Sequence, residues 1–343
     1  MGVKKKVRVA IHRTGTGRFS TKWRFGNHFL GRVSILGHFI PVEAVDPIPS
    51  ILDRDGVLIL DGGLGSELER RGHDLNHQLW SARLLIDQPE ALREVHLAYA
   101  RAGAGMIVTA SYQATFEGFA RCGVDVREAT RLFAESVELA QVSAEIGRRV
   151  LVAASIGPWG AFAADGGEYR GKYGLTVQQL LAWHRPRVEA LQETSADLLA
   201  FETIPSLEEV EAIAELLDAF GHVRAWISFS CRDAELLADG SPLEKAVELV
   251  GDHPQIVAIG FNCVPPSRVS RLAARIRATT NKPVLANPNS GESFDLERRI
   301  WRETRGPDAF ANEAAAWTPD VQLLGGCCGT TPEHIAVLRD RLG

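Results

Sequence analysis

Residues 198–230, LLAFETIPSLEEVEAIAELLDAFGHVRAWISFS, contain one complete repeat of the pattern that decides the fold. Leu198–Glu202 and Ala225–Ser230 are short runs of mostly apolar residues, and Leu207–Phe220 between them has the apolar spacing of a helix. Strands with apolar residues on both sides are typical of parallel sheets that are covered by helices. The stretch therefore predicts a strand, a helix and a second strand parallel to the first.

The same alternation continues in both directions along the chain. Six further strands are predicted at Val57–Asp61, Met106–Ala110, Val150–Ile156, Ile256–Asn262, Pro283–Ala286 and Val321–Leu324. Helical spacing predicts helices at Pro89–Ala102, Arg127–Arg148, Gln178–Ala196 and Leu243–Val250, and from Pro332 through Leu342. Eight strand–helix units after residue 57 predict a single (β/α)8 TIM barrel, an α/β fold. A doubly wound open sheet is the alternative, because it uses the same units.

Composition excludes several classes of protein. The chain has 343 residues, of which 45% are hydrophobic and 24% charged, the balance of a soluble globular protein. It has no apolar run of membrane-spanning length, and its net charge of −5 argues against nucleic acid as a partner. Five cysteines are too few for a disulfide scaffold, and two of them are adjacent. We therefore expect a cytoplasmic protein that neither enters a membrane nor binds nucleic acid.

The first 50 residues differ from the rest in charge. They contain nine Lys and Arg against two acidic residues, a charge of +7, so the remainder carries −12 of the total of −5. Such a basic segment resembles either a disordered tail or an organellar transit peptide. We predict a disordered basic extension over 1–50, dispensable for folding, and a barrel over 51–343.

Polar residues follow the predicted strands at one end. Asp61, Thr109, Ser111, Glu202 and Asn262 all stand at or just beyond a strand's last apolar residue. Because the carboxyl ends of barrel strands form one rim, where barrel enzymes have their active sites, these residues are expected to lie together.

Three cysteines give the sharpest signal at this rim. Cys263 follows the sixth strand, and Cys327 and Cys328 follow the eighth among the glycines Gly325, Gly326 and Gly329. Isolated cysteines are commonly buried as small apolar residues, and we interpret Cys122 and Cys231 in that way. Three thiolates without an evident fourth protein ligand are instead typical of a catalytic zinc site with an open position. The sequence predicts Zn²⁺ at Cys263, Cys327 and Cys328, the metal-ligating and catalytic residues.

The charge of such a centre limits its chemistry. Zn²⁺ with three thiolates carries −1 and polarises carbonyls poorly. A thiol that binds the open position would be deprotonated and nucleophilic at neutral pH. Alkyl transfer to sulfur is therefore the favoured reaction.

Motifs at the strand ends resemble the homocysteine S-methyltransferase family. The resemblance runs in order from about residue 56 to 343. The subgroup that the chain most resembles uses S-methylmethionine or S-adenosylmethionine as its methyl donor. The motifs are Asp61-Gly62-Gly63, TASYQA at 109–114, SIGPWGA at 155–161, DGGEYRGKY at 165–173, FETIP at 201–205, GFNC at 260–263, PNSGE at 288–292 and GGCCGTTPEHI at 325–335. The resemblance implies zinc-dependent transfer of a methyl group from a sulfonium donor to L-homocysteine, giving methionine.

The resemblance also implies roles for the polar residues. Asp61 and Glu202 would hold the amino group of homocysteine, and Thr109 and Ser111 are candidates for its carboxylate. Asn262 would orient the backbone beside a zinc ligand. Three aromatic residues could face the sulfonium by cation–π contact. These are Tyr112, Trp159 and Tyr169.

Other functions remain open at this point. Betaine as donor, selenocysteine as acceptor, or a non-catalytic zinc barrel that binds amino acids would use the same residues. A Schiff-base barrel is disfavoured because none of Lys172, Lys245 and Lys282 ends a strand, and a zinc hydrolase because no HxH or HExxH motif occurs. The sequence leaves the oligomeric state undecided.

Overall fold

The structure is a computed structural model that describes residues 9–13, 19–25, 28–29, 46–295 and 300–343. The chain divides into two compact units, residues 1–43 and 44–343. In the first unit, strands Val9–Arg13, Phe19–Phe25 and His28–Phe29 form an antiparallel sheet in sequence order. The prediction of a disordered extension over 1–50 falls mostly on residues outside the described set.

The second unit contains a closed parallel barrel. Its strands are β1 (Leu58–Ile59), β2 (Met106–Val108), β3 (Leu151–Ile156), β4 (Leu198–Ile204), β5 (Ala225–Phe229), β6 (Ile256–Asn262), β7 (Val284–Asn287) and β8 (Leu323–Leu324). They pair in the order β1-β8-β7-β6-β5-β4-β3-β2, and a parallel bridge between Leu60 and Met106 joins β1 to β2. This closure confirms the (β/α)8 barrel and the eight strand positions, and it excludes the open sheet.

Helices cover the outside of the barrel. The longer ones span Pro89–Arg101, Val126–Ala140, Val177–Gln192, Leu207–Asp218, Leu243–Gly251, Val269–Thr279, Pro307–Ala315 and Pro332–Leu342. Shorter ones are Ile48–Asp55, Leu64–Arg70, Leu84–Asp87, Phe116–Arg121, Ser143–Ile146 and Trp159–Ala163, with 3₁₀ turns at Trp80–Arg83, Gly167–Tyr169 and Pro266–Arg268. None of the helices in the described part of the chain is long and apolar enough to span a bilayer.

Two predicted helices extend too far. The helix predicted over Gln178–Ala196 ends at Gln192. The helix predicted over Arg127–Arg148 ends at Ala140, and a separate turn follows at Ser143–Ile146. The Ser143 hydroxyl bonds both the amide and the carbonyl of Val150, at 2.9 and 3.0 Å. These bonds fix the short turn directly before β3.

The strands project residues alternately into the barrel and towards the helices. Leu151 and Ala153 of β3, like Leu198 and Ala200 of β4, belong to the apolar cluster that fills the barrel. The next inward positions are Ser155 and Glu202. The strand pleat therefore brings these two polar side chains to the same end of the interior.

Helix Ile48–Asp55 packs at the other end of the barrel. Ile48 is completely buried and belongs to the same interior cluster as Leu58 and Leu60. The compact unit accordingly begins at Ala44, earlier than the domain boundary at residue 50 expected from charge.

We expect two truncated chains, one for each boundary, to differ in stability. A chain that starts at Ala44 should keep its free energy of unfolding in urea and its reaction rate. A chain that starts at Ile51 should lose about 2 kcal/mol or more, because burying an isoleucine contributes that amount. An equal loss in both truncated chains would show that residues 1–43 stabilise the barrel.

Candidate metal centre and active site

A cavity of about 390 Å³ opens at the carboxyl ends of the barrel strands. Its lining includes seven of the eight side chains predicted for the site: Asp61, Thr109, Glu202, Asn262, Cys263, Cys327 and Cys328. Ser111 is the exception and lies behind the wall. The strand ends therefore converge as the barrel topology predicts.

Three thiols meet in this cavity. The Cys263 and Cys327 sulfurs are 2.8 Å apart, those of Cys327 and Cys328 are 4.0 Å apart, and all three lie within 4.8 Å of one another. Hydrogen bonds from Cys263 and Cys327 hold the pKa of the Cys328 thiol well below its usual range. Within the described ranges, this is the one group of His, Cys, Asp and Glu with the spacing of metal ligands.

Glycines shape the turn that carries the cysteine pair. The Thr330 amide bonds the Cys327 carbonyl at 3.1 Å, and Gly329 in this turn has φ +78°, a conformation that favours glycine. Gly325 instead permits close packing, since a Cβ there would lie 2.5 Å from the Asp61 carbonyl oxygen. The segment that carries Cys327 and Cys328 therefore packs closely against Asp61, at the end of β1.

Asn262 forms hydrogen bonds to two residues with strained backbone conformations beside the thiols. Cys263 has φ 54° and Thr203 has φ 60°, an uncommon region for residues with a Cβ. The Asn262 Oδ1 accepts from the Thr203 amide at 2.8 Å, and its Nδ2 donates to Thr203 Oγ1 at 2.7 Å and towards Cys263 Sγ at 3.6 Å. Asn262 thereby orients the backbone that carries Cys263. Because Glu202 directly precedes Thr203, Asn262 orients the backbone at Glu202 as well.

We expect Asn262→Ala to weaken metal binding by about 10- to 100-fold, the usual cost of losing a partner that orients a ligand. The measurement is competition for the metal against a chromophoric chelator. Ser228→Ala is the matched control, because the Ser228 hydroxyl only donates to Asn262 Oδ1, at 2.9 Å, and leaves the amide in place. Equal metal affinity in Asn262→Ala and the parent would remove this role from Asn262.

Two of the three carboxyl groups that line the cavity lie at the strand ends. Glu202 is 9% exposed and its Oε2 accepts from the Ser155 hydroxyl at 2.6 Å, while Asp61 is 3% exposed and its Oδ2 accepts from the Val108 amide at 2.9 Å. Burial raises the pKa of Glu202 to about 7 and that of Asp61 well above its usual range. The described lining contains no Lys or Arg, so a cationic ligand would relieve the cost of burying these groups.

Thr109 and Ser111 form a hydroxyl chain. Their oxygens are 2.7 Å apart, the Ser111 hydroxyl donates to the Ser155 carbonyl at 2.7 Å, and Thr109 Oγ1 accepts from the Ser155 amide at 3.0 Å. Both protons are therefore used within the protein. Thr109 faces the cavity, while Ser111 supports it from behind.

The aromatic residues around the cavity differ in part from those predicted. Tyr112 and Tyr169 line it, but Trp159 does not: its ring packs on Trp183 at 5.0 Å between centroids. Trp80 lies there instead and makes an edge contact to Tyr112 at 6.2 Å. Trp80 was not predicted from the sequence. Its ring packs on Gly65, where a Cβ would lie 2.1 Å away, and no sequence pattern indicates this contact.

Known proteins that are similar to this chain include homocysteine S-methyltransferases. Residues 58–342 match the family described as homocysteine S-methyltransferase. The chain is 45% identical to the homocysteine S-methyltransferase of Escherichia coli K12 over 305 residues, which cover 86% of this chain and 98% of that one. It is 41% identical to the selenocysteine Se-methyltransferase of Brassica oleracea var. italica, over 84% and 89% of the two chains.

A solved structure is similar as well. The metallated form of the homocysteine methyltransferase MmuM from Escherichia coli superposes with a TM-score of 0.77 at 44% sequence identity. The match covers 86% of this chain and 99% of that one.

Proposed function

We propose that this chain, which belongs to the homocysteine S-methyltransferase family, transfers a methyl group from a sulfonium donor to the thiolate of L-homocysteine, giving methionine. The donor is S-methylmethionine or S-adenosylmethionine. The observation that carries the proposal is the meeting of three thiols and two buried carboxyls in one cavity.

The thiol cluster supports zinc as the metal. Three sulfurs at about 2.3 Å from a tetrahedral zinc ion stand about 3.8 Å apart. Cys327 and Cys328, at 4.0 Å, already have this spacing, and Cys263 and Cys327, at 2.8 Å, need to separate by about 1 Å. Three protein thiolates leave one position of a tetrahedron for the substrate.

Bound zinc would deprotonate the homocysteine thiol and so supply a nucleophilic sulfur at neutral pH. Asp61 and Glu202 hold the homocysteine ammonium by charge-assisted hydrogen bonds, which fixes the acceptor relative to the thiols. Thr109 lies on the same wall, but its hydroxyl proton already goes to Ser111, so the carboxylate of homocysteine needs another donor. In the transfer, the methyl–sulfur bond of the donor breaks, a methyl–sulfur bond to homocysteine forms, and a neutral thioether leaves.

The charges around the cavity favour a cationic donor. Its lining holds three carboxyl groups and three thiols without a Lys or Arg among the described residues. Tyr112, Tyr169 and Trp80 add aromatic rings to the lining, and the faces of such rings attract a sulfonium. An anionic one-carbon carrier would meet repulsion in the same place.

The test is a panel of methyl donors with homocysteine that carries a ¹³C backbone, so that new methionine is distinguished from demethylated donor. We expect labelled methionine from S-methylmethionine or S-adenosylmethionine and little from betaine. Turnover with betaine alone, or no labelled methionine from any donor by zinc-loaded protein, would overturn the proposal.

Selenocysteine belongs in the same panel as a second acceptor. A relative that is 41% identical bears the name selenocysteine Se-methyltransferase. Homocysteine remains the proposed acceptor, and a larger kcat/KM for selenocysteine would reassign it.

A further inference from the structure

We propose that Glu168 binds the α-ammonium group of a sulfonium amino acid donor, because this residue lines the active cavity and one of its carboxylate oxygens is buried without a hydrogen-bond partner. The inference rests on the proposed function and extends it to recognition of the donor.

Glu168 supplies the third carboxyl group of the cavity lining. Its Oε2 is buried and has no hydrogen-bond partner. Arg170, the nearest basic residue in sequence, is bound to Asp165, with Nη2 2.7 Å from Oδ2 and Nη1 2.7 Å from the carbonyl oxygen. Buried polar atoms are almost always hydrogen-bonded in folded proteins, so an unpartnered carboxylate oxygen in a cavity wall indicates a ligand.

The segment around Glu168 is held in place by packing. Gly167–Tyr169 form a 3₁₀ turn, and the Gly171 amide bonds the Gly167 carbonyl at 2.8 Å. The turn lies directly on Gly160, where a Cβ would be 2.3 Å from the Glu168 amide nitrogen. Glu168 is therefore presented by a fixed turn, as a binding residue should be.

Glu168 lies apart from the two carboxyl groups proposed to bind homocysteine, and this position favours the methyl donor as its ligand. Asp61 and Glu202 are almost fully buried and, in the proposed function, are used by the ammonium of homocysteine. Tyr169, next to Glu168, is 53% exposed, so this turn forms the outer side of the cavity.

A methyl donor must lie beyond the acceptor sulfur, in line with the bond being formed, and so on this outer side. S-methylmethionine and S-adenosylmethionine carry two cationic groups, a sulfonium and an ammonium. The aromatic rings suit the sulfonium, and Glu168 suits the ammonium, which takes charge-assisted hydrogen bonds. Burial also raises the pKa of Glu168, and its own backbone amide and Arg170 offset this rise only in part.

The test compares the zinc-loaded parent with Glu168→Gln, by calorimetric titration of two sulfonium compounds. S-methylmethionine has an ammonium group, and dimethylsulfoniopropionate lacks one. We expect the parent to bind S-methylmethionine about 10- to 150-fold more tightly than dimethylsulfoniopropionate, and the variant to lose this preference, as removal of a hydrogen bond to a charged group predicts. The KM of homocysteine and the zinc content should not change.

Asp165→Asn is the matched control, because Asp165 belongs to the same segment but is exposed and pairs with Arg170. It should keep the parent's preference. A parent that does not discriminate between the two compounds, or a variant that weakens both equally, would overturn the assignment to the ammonium. Failure of the parent to transfer methyl groups would instead refute the proposed function, so the two failures are distinguishable.

Discussion

Cys327→Ala should reduce bound zinc from about one per chain to almost none and lower methyl transfer by at least about three orders of magnitude, roughly 4 kcal/mol of activation free energy. Cys327 is the central thiol of the cluster, with its sulfur 2.8 Å from that of Cys263 and 4.0 Å from that of Cys328. Its loss leaves two protein ligands, too few to hold a catalytic zinc ion. Zinc content by elemental analysis and initial rates on the same sample measure both effects.

Cys231→Ala is the matched control for this substitution. Cys231 is a thiol outside the cluster, and burial raises its pKa to about 12, so it is not a thiolate at neutral pH. It should keep both zinc and rate. Full activity in a zinc-free Cys327→Ala protein would refute the assignment of the metal site.

Glu202→Gln should raise the KM of homocysteine by about 10- to 150-fold, because it replaces one charge-assisted hydrogen bond to the ammonium, worth roughly 1.5–3 kcal/mol. Zinc should remain, since Glu202 is not among the three clustered thiols. The KM of the methyl donor should change much less, because Glu168 is the carboxyl assigned to the donor. Steady-state kinetics with each substrate varied in turn separate the two constants.

The free energy of unfolding of Glu202→Gln shows whether the substitution disturbs folding. Burial raises the pKa of Glu202 to about 7, above the value in an unfolded chain, so its ionisation opposes folding as the pH rises through 7. Glutamine carries no charge, and the variant should be at least as stable as the parent at pH 8. Loss of zinc would make Glu202 a ligand, and a defect confined to the donor KM would make it a donor-binding residue.

The barrel and its thiol cluster follow from the sequence for one physical reason. Strands that are buried on both faces must be apolar along their length, so a polar or thiol residue at the end of such a run is conspicuous. Glu202 after LLAF and Asn262 after IVAIGF are examples, and both lie in the cavity. The topology of the barrel then brings Cys263 and the Cys327–Cys328 pair together.

Loop residues could not be placed in the same way, because their positions depend on packing between segments. Trp80 reaches the cavity from the 3₁₀ turn that it begins, and Trp159 packs on Trp183 instead of lining the cavity. Ser111 is only two residues from Thr109, yet the turn after β2 puts it behind the wall. Ile48 is a single apolar residue between two prolines, so no apolar pattern indicated its burial beneath the barrel. The change in charge instead put the predicted domain boundary after it.

Zinc K-edge X-ray absorption, without and then with homocysteine, measures how many sulfur atoms surround the metal. Without homocysteine we predict three sulfur neighbours at about 2.3 Å and one lighter ligand. With homocysteine we predict four sulfurs at about the same distance, because the substrate thiolate takes the open position. A sulfur count that stays at three when homocysteine is saturating would refute binding of the substrate thiolate to zinc, and a shell of mostly nitrogen and oxygen in either state would refute the three-cysteine site.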